Sequence, residues 1–152
     1  MTIEWSSSDI AFMRRALALA EGQLGKTGNN PAVGCVIVKD DQIIGEGATY
    51  DGGRPHGEAM ALASLRGHSP QGATVYVTLE PCAHVSQRGP DCTTTLINAG
   101  IARLICCLKD PDMRTAGKGF ERLAMAGIQV EVGLLAHDGA AQIASFRPPY
   151  QE

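Results

Sequence analysis

The sequence predicts an α/β fold, the three-layer α/β/α sandwich in which a mixed sheet of five strands carries helices on both faces. A helical segment comes first, and two apolar strand-like segments joined by an Asp40-Asp41 turn follow it, which is typical of an antiparallel hairpin. Three further strand-like segments then alternate with helical ones, as in parallel strands that are covered on both faces. The 152 residues suit one domain.

The first half of the chain has clear signals for each element. N-cap residues precede apolar residues at helical spacing, and β-branched runs flank the Asp-Asp turn. Gly45 and Gly47 would let a neighbouring backbone approach the second strand closely. The predicted elements are a helix from the N-caps at 6–9 to Glu21, a loop over 26–31, strands over 33–39 and 42–49, and a helix from His56 to Leu65.

The second half alternates strand and helix. Apolar runs of strand length are separated by turn residues, and helical runs follow or precede them. The predicted elements are strands over 73–79, 102–108 and 128–132, helices over 92–98 and 134–146, a helix that residues 117–119 open, and a tail over 147–150.

Composition describes an ordinary soluble globular protein, with 44% apolar residues and a net charge of −3. No basic run points to nucleic acid, and no apolar stretch approaches the roughly 18–20 residues of a membrane span. The N-terminus lacks the basic and apolar regions of a signal peptide. We therefore expect a cytoplasmic protein with reduced cysteines, which bind metal more often than they form disulfides in that compartment.

The stretch from His56 to Cys92 holds the residues that carry chemistry. His56 and Glu58 form an H-x-E pattern, and Cys82 comes directly after Pro81. H-x-E followed by P-C and a further cysteine is the signature of zinc deaminases that act on amino-pyrimidine or purine rings. Two thiolates and one imidazole suit a catalytic zinc, which keeps its fourth position for water. We expect His56, Cys82 and Cys92 to be the zinc ligands.

Glu58 is the candidate proton shuttle. Water that zinc has activated is expected to attack the ring carbon that bears the amine, and ammonia leaves this carbon only when it is protonated. One carboxylate can take the proton from the water and pass it to the leaving nitrogen. The helical run that His56 opens puts both His56 and Glu58 in its first turn.

Other interpretations of the cysteines stay open. Cys82 and Cys92 could form a disulfide, although five cysteines, an odd number, and the lack of an export signal disfavour it. A purely structural zinc site would need a fourth ligand, which His84 could supply. The remaining cysteines lie in apolar strand-like runs, where small buried hydrophobic residues are expected, and they are Cys35, Cys106 and Cys107.

A family resemblance covers the chain from about Asp9 to Tyr150. It rests on NPAVGCVIVKD, GEG, PHGEAMAL, VTLEPCAH, INAGIARL and KDPDMRTAGKGFERLAMAGI. The chain resembles the deaminase domain of the bifunctional riboflavin-biosynthesis deaminase/reductase, in the cytidine-deaminase-like superfamily. Most zinc deaminases have two residues between their cysteines, as C-x-x-C. The nine residues between Cys82 and Cys92 instead resemble the longer segment of the riboflavin-pathway deaminases.

The resemblance implies a substrate and its contacts. The substrate is 2,5-diamino-6-(ribosylamino)-4(3H)-pyrimidinone 5′-phosphate, which is deaminated hydrolytically on the ring. Asn30 by itself favours turn chemistry, but the resemblance implies that it helps to hold the pyrimidine. His84 and Arg88 would lie near the ribose phosphate, and Asp110 would contact the ribose or the base. The resemblance further implies a homodimer or homotetramer.

The sequence departs from the family at several points. Its H-A-E is here H-G-E with Gly57, the segment between the cysteines is one residue longer than usual, and Asp112 replaces the usual asparagine. The negative charge of Asp112 would weaken phosphate binding unless Arg88, Arg114 or Lys118 offsets it. No reductase half follows in these 152 residues, so we expect one deaminase domain over 1–152.

Two alternative functions remain. One keeps the zinc chemistry and changes the substrate to a free nucleobase or nucleoside such as guanine or cytosine. The other is a non-catalytic domain that zinc stabilises, although such a domain has no need of Glu58.

Overall fold

The computed structural model of the protein describes residues 4–84 and 89–150. The helices are α1 (Ser7–Glu21), α2 (Gly57–Ala63), α3 (Cys92–Ala99), α4 (Lys118–Met125) and α5 (Ala136–Ile143). The strands are β1 (Gly34–Lys39), β2 (Gln42–Ala48), β3 (Thr74–Val77), β4 (Arg103–Cys106) and β5 (Gln129–Val132), and a 3₁₀ turn covers Asp51–Gly53. None of the helices in these two ranges has the length and apolar character that crossing a bilayer requires.

The strands form one mixed sheet in the order β2-β1-β3-β4-β5. Strand β1 runs antiparallel to both β2 and β3, whereas β3, β4 and β5 are parallel. The predicted five-stranded mixed sheet is therefore confirmed.

The hairpin between β1 and β2 turns where the sequence predicts. Asp40 and Asp41 have φ angles of 51° and 63°, and Lys39 pairs with Gln42 across the turn. A two-residue turn with positive φ at both positions matches the right-handed twist of the strands that it joins.

Helices cover both faces of the sheet. Helix α1 packs on one face with α5 beside it, while α2, α3 and α4 follow one another on the other face. The core on the α1 side includes Met13 and Leu17, and the core on the α2 side includes Ala61 and Leu96. This arrangement confirms the predicted three-layer sandwich.

Close approach of α2 to β2 depends on glycine, as predicted. A Cβ atom added to Gly47 would lie 2.7 Å from the backbone nitrogen of Ala61, and one added to Gly45 would lie 2.7 Å from the Ala61 carbonyl oxygen. Side chains at these positions would push α2 away from the sheet, and with it the residues at the start of the helix.

Two strands are shorter than predicted. The strand over 73–79 is observed as Thr74–Val77, and that over 102–108 as Arg103–Cys106. Beyond Val77 the backbone leaves the ladder and makes single bonds, from the Thr78 amide to the Gly34 carbonyl and from the Glu80 amide to the Leu108 carbonyl. The regular ladder therefore ends at this edge of the sheet, and only single backbone bonds continue it.

The segments that were predicted to carry functional residues lie at this edge of the sheet. Residues after β3 and β4 lie here because parallel strands end at the same side. Residue 33 lies here too, because β1 is antiparallel to β3, with Cys35 opposite Val77.

A polar network ties α1 to β3, β4 and β5. Asp9 is 6% exposed and accepts hydrogen bonds from the Tyr76 hydroxyl at 2.7 Å and from Arg103 Nη1 at 3.2 Å. Arg103 Nε also donates to Glu131 Oε1 at 2.8 Å. Ser6 and Asp9 form a capping box at the start of α1, so the same carboxylate caps the helix and anchors it to the sheet.

We expect Asp9→Asn to destabilise the protein by about 1.5–3 kcal/mol, the range for hydrogen bonds to a charged group. Urea unfolding at pH 7 would measure this change. The matched control is Asp138→Asn in the first turn of α5, where the aspartate is exposed and the cost should stay within about 0.5 kcal/mol. Equal effects of the two substitutions would contradict the anchoring role.

The contribution of Asp9 should depend on pH. Burial raises the pKa of Asp9, but hydrogen bonds from Tyr76, Arg103 and Ser6 outweigh burial and leave this pKa below its ordinary value of 3.8. A carboxyl with a lowered pKa stabilises the folded state above its unfolded pKa and loses this effect as the pH falls through its folded pKa. The difference between wild type and Asp9→Asn should therefore shrink below about pH 4.

Candidate active site

His56 stands immediately before α2. It is the N-cap residue, with φ −68° and ψ 163°, so it precedes the first turn in which the sequence predicted it. Gly57 follows, and a Cβ atom there would overlap the Val33 carbonyl oxygen. The glycine that departs from the family pattern is therefore required by the close packing of α2 against the start of β1.

Cys82 and Cys92 approach from two other elements. Cys82 lies beyond the end of β3, and Cys92 is the first residue of α3. The side chain of Asp91 caps α3 by accepting a hydrogen bond from the Thr94 amide at 2.7 Å, and Arg122 Nη1 donates to the same carboxylate at 2.8 Å. These contacts fix the start of α3 and with it the position of Cys92.

The three side chains meet. Nδ1 of His56 lies 3.6 Å from Sγ of Cys82 and 3.5 Å from Sγ of Cys92. Within residues 4–84 and 89–150 this is the one set of three or more metal-ligating side chains whose donor atoms lie within 4.8 Å of one another. Zinc bonds of about 2.0–2.3 Å to nitrogen and sulfur put tetrahedral ligands roughly 3.5–3.8 Å apart. The donor set and its spacing therefore fit zinc, and the role of these residues as ligands stays a prediction.

The alternatives for the cysteines are resolved in part. Cys82 and Cys92 are free thiols, so the disulfide is wrong for this structure. His84 does not join the ligand cluster; its Nδ1 lies 3.5 Å from Oγ1 of Thr115. The other cysteines are buried as predicted, and they are Cys35, Cys106 and Cys107.

Electrostatics at the cluster favour a thiolate. Hydrogen bonds from Cys92 and His56 lower the pKa of Cys82 to about 4. The neighbouring Cys82 and burial raise the pKa of Cys92, so the pair holds one proton. Burial lowers the pKa of His56, but the contact with Cys82 outweighs burial and raises it. Cation binding would release the remaining proton from this pair.

Glu58 lies beside the cluster in the first turn of α2. It is 4% exposed and lines the same pocket as His56 and Cys82. Burial raises the pKa of Glu58 to about 7. A carboxyl in this position could exchange protons with a molecule in the pocket.

Asn30 lines the pocket opposite the end of β3. The side chain is 2% exposed and its Nδ2 donates to the Gly53 carbonyl at 2.8 Å, while Oδ1 has no partner among the described residues. Gly53 has a φ of 102°, and a Cβ atom there would lie 2.7 Å from Nδ2 of Asn30. The amide is thus held by the 3₁₀ turn, and its oxygen stays without a partner among the described residues of the pocket wall.

His84 also lines the pocket. Arg88 lies outside the described residues, so its predicted place near a phosphate stays a prediction.

The loop after β4 closes another wall. Asp110 is 5% exposed, its Oδ1 accepts a hydrogen bond from the Asp112 amide at 2.8 Å, and burial raises its pKa to about 7. Asp112 lines the pocket too, but Nη2 of Arg114 lies 2.7 Å from its Oδ2. Arg114 hydrogen bonds hold the pKa of Asp112 well below its ordinary range. The negative charge of Asp112 is therefore offset, as the sequence analysis required.

Glu80, which was not predicted as a site residue, anchors this loop. The carboxylate is 3% exposed. It accepts hydrogen bonds from the amides of Asp110 at 3.0 Å, Gly117 at 2.9 Å and Phe120 at 3.1 Å. An acid next to Pro81 at the end of an apolar strand was the available signal, because a buried carboxylate needs such partners.

Tyr150 was also missed, since the sequence predicted only a tail at 147–150. Its side chain lines the pocket, and its backbone amide donates to Oδ2 of Asp112 at 3.1 Å. No local pattern connects this residue to a loop 38 positions earlier.

The sequence matches a known protein family and several known proteins. The family model "Cytidine and deoxycytidylate deaminase zinc-binding region" matches residues 6–108. The chain is 48% identical over 141 residues to riboflavin biosynthesis protein RibD of Haemophilus influenzae. This match covers 93% of this chain and 37% of that protein. For RibD of Escherichia coli the identity is 49% over 127 residues, with 84% of this chain and 34% of that protein covered. The chain thus spans little more than a third of these relatives.

Solved structures of RibD and of a related deaminase have a similar fold. RibD of Acinetobacter baumannii superimposes with a TM-score of 0.86 at 45% identity, covering 91% of this chain and 39% of that one. The Rib2 deaminase of Aspergillus oryzae gives 0.75 at 23% identity, with 93% and 94% covered, a likeness that shows the shared fold.

We expect one zinc ion per chain, measured by metal analysis after purification, and its loss in Cys82→Ser. The variant should also melt at a lower temperature because metal binding is coupled to folding. Cys107→Ala is the matched control: Cys107 packs in the core cluster that contains Met13 and Leu17 of α1, and its variant should keep the metal. Full zinc content in Cys82→Ser would refute the ligand assignment.

Glu80→Gln should destabilise the protein by about 1.5–3 kcal/mol, because an amide NH₂ would face one of the three backbone donors. Urea unfolding of the zinc-loaded protein measures the effect. Glu121→Gln removes an exposed carboxylate from the first turn of α4 and should change little. If both variants unfold at the same urea concentration as wild type, Glu80 does not anchor the loop.

Proposed function

The chain belongs to the family of zinc-binding cytidine and deoxycytidylate deaminases, and we propose that it deaminates 2,5-diamino-6-(ribosylamino)-4(3H)-pyrimidinone 5′-phosphate in riboflavin biosynthesis. The reaction is a hydrolysis of a cyclic amidine C–N bond. The relatives are RibD proteins of riboflavin biosynthesis, which supports this substrate over the others that the family uses.

One observation carries the proposal. The donor atoms of His56, Cys82 and Cys92 lie within 4.8 Å of one another, and buried Glu58 shares their pocket. A set of three ligands with a carboxylate beside it is the arrangement that hydrolytic deamination needs. A site that served structure alone would gain nothing from a buried carboxylate next to it.

The metal and Glu58 would have different roles in the reaction. Bound zinc supplies a Lewis acid that lowers the pKa of a water molecule towards neutrality. Glu58 takes one proton from the attacking water and gives it to the amine nitrogen. The new bond joins the water oxygen to the ring carbon, the bond from this carbon to nitrogen breaks, and ammonia leaves, while the second proton of the water stays with the pyrimidine product.

Other residues of the pocket would hold the substrate. Oδ1 of Asn30 has no partner among the described residues, so it can accept a hydrogen bond from a ring N–H or an amine. Asp110, in the loop after β4, is proposed to contact the ribose or the base. His84 and Arg88 are proposed to lie near the phosphate, where a charge-assisted contact would be strong.

The remaining expectations belong to the same proposal. A single deaminase domain over 1–152, a homodimer or homotetramer, and a cytoplasmic setting all follow from the resemblance and the composition. Light scattering of the zinc-loaded protein would establish the assembly.

One observation that favoured an unphosphorylated base or nucleoside as the substrate no longer supports it. Asp112 suggested a pocket that avoids phosphate, but Arg114 pairs with Asp112 at 2.7 Å, so its charge is not free to repel a phosphate. Free bases and nucleosides remain the second candidate because the segment between the cysteines is longer than usual.

Ammonia release by the zinc-loaded protein tests the proposal. The substrates are the fresh diamino-pyrimidinone ribotide, its dephosphorylated riboside, guanine, cytosine, cytidine and adenosine. We expect turnover of the ribotide and weaker turnover of the riboside. Preferred turnover of a free base or nucleoside would reject the substrate, and no ammonia from any of them would favour the non-catalytic alternative.

Glu58→Gln should keep its zinc and its fold and lose about 10²–10⁴ in kcat, the usual cost of losing general acid–base catalysis. Metal analysis and steady-state kinetics on the same preparation measure both. Glu121→Gln again serves as the control and should retain full activity. Wild-type turnover by zinc-loaded Glu58→Gln would show that Glu58 is not the shuttle.

A further inference from the structure

Tyr150 brings a hydroxyl group into the pocket from the end of the described chain. Its side chain lines the pocket together with Asn30, Glu58 and Asp110. The hydroxyl oxygen is buried and has no hydrogen-bond partner among residues 4–84 and 89–150. A buried polar atom without a partner is costly to a protein, so it calls for an explanation.

The backbone of Tyr150 is clamped to the loop after β4. Its amide donates to Oδ2 of Asp112 at 3.1 Å, and Nη2 of Arg114 donates to its carbonyl oxygen at 2.8 Å. Nη2 of Arg114 also donates to Oδ2 of Asp112 at 2.7 Å. We call these three contacts the tail clamp. Since the clamp holds the main chain on both sides of the Cα atom, it fixes where the side chain enters the pocket.

The hydroxyl stays protonated at physiological pH. Burial raises the pKa of Tyr150 to about 12, and the nearby carboxylates of Asp110 and Asp112 add to the effect. A neutral phenol can donate one hydrogen bond to a carbonyl or hydroxyl oxygen. The carboxylates that act on it belong to the loop after β4, so the hydroxyl lies on that side of the pocket.

We propose that Tyr150 is a specificity-determining residue whose hydroxyl donates a hydrogen bond to an oxygen of the substrate away from the amine that reacts. The inference rests on the proposed function, because a pyrimidinone ribotide offers such oxygens on its ring carbonyl and its ribose. The unpartnered hydroxyl is then satisfied when the substrate binds. The tail clamp is what keeps it in place before that.

Tyr150→Phe tests this with little change in shape. The KM for the ribotide should rise roughly threefold to tenfold, the effect of one lost hydrogen bond, while kcat stays within about twofold because ground state and transition state lose the contact equally. The melting temperature of the zinc-loaded protein without substrate should be unchanged or higher, since the hydroxyl has no partner there. The control is Tyr50→Phe, at a tyrosine that is 53% exposed, and its kinetics should match wild type.

Three results would overturn the role. One is an unchanged KM in Tyr150→Phe. Another is a lower melting temperature together with a lower kcat, which would mean that the hydroxyl supports the fold. The third is the same change in Tyr50→Phe. If wild type turned over another member of the substrate panel instead of the ribotide, the proposed function would fail, and the same comparison on that member would still decide the role of Tyr150.

The tail clamp has its own test. Asp112→Ala removes the acceptor for the Tyr150 amide and should raise KM, and adding Tyr150→Phe to that variant should raise it further by less than the factor seen in wild type. Such sub-additivity is expected when two residues act through one contact. Fully multiplicative effects would overturn the clamp.

Discussion

The protein is organised by a requirement of distance. Three donor atoms, from residues as far as 36 positions apart, lie within 4.8 Å of one another. His56 comes from the N-cap of α2, Cys92 from the first turn of α3, and Cys82 from the end of β3. A site for one metal ion needs each of these elements to begin or end close to its observed position, and the tight packing around the site meets that need.

Buried hydrogen bonds provide that precision. The amide of Cys92 donates to Sγ of Cys82 at 3.3 Å, and the Thr93 hydroxyl donates to the Cys82 carbonyl at 2.8 Å. On the other side, glycines let α2 lie directly on β1 and β2. Glu80 then joins the end of β3 to the loop after β4 and to the start of α4. One carboxylate thus links the segment that carries the candidate ligand Cys82 to the wall that would hold the substrate.

Features that depend on residues close together in the sequence could be predicted, whereas features that depend on distant residues could not. The helices, the strands and the Asp-Asp turn come from local patterns, and the cluster of candidate ligands comes from residue types that are typical of zinc sites. Tyr150 could not be found in this way, and Glu80 showed only as an acid next to Pro81. The partners of Glu80 include the amide of Asp110, 30 positions away, and the partner of the Tyr150 amide is the Asp112 carboxylate, 38 positions away. The strand ends were overestimated because the apolar residues continue past Val77, while the backbone there keeps only single bonds to Gly34 and Leu108 instead of a regular ladder.

The structure changes the interpretation of Asp112, from an acid that would repel a phosphate to an acid that holds the end of the chain. In sequence it is an acid where the family has an amide, and it suggests repulsion of a phosphate. In the structure it accepts hydrogen bonds from Arg114 and from the amide of Tyr150. An asparagine there would offer one acceptor oxygen and no charge, so it would hold Arg114 less strongly. The acid therefore strengthens the attachment of the tail, and Arg114 balances its negative charge at 2.7 Å.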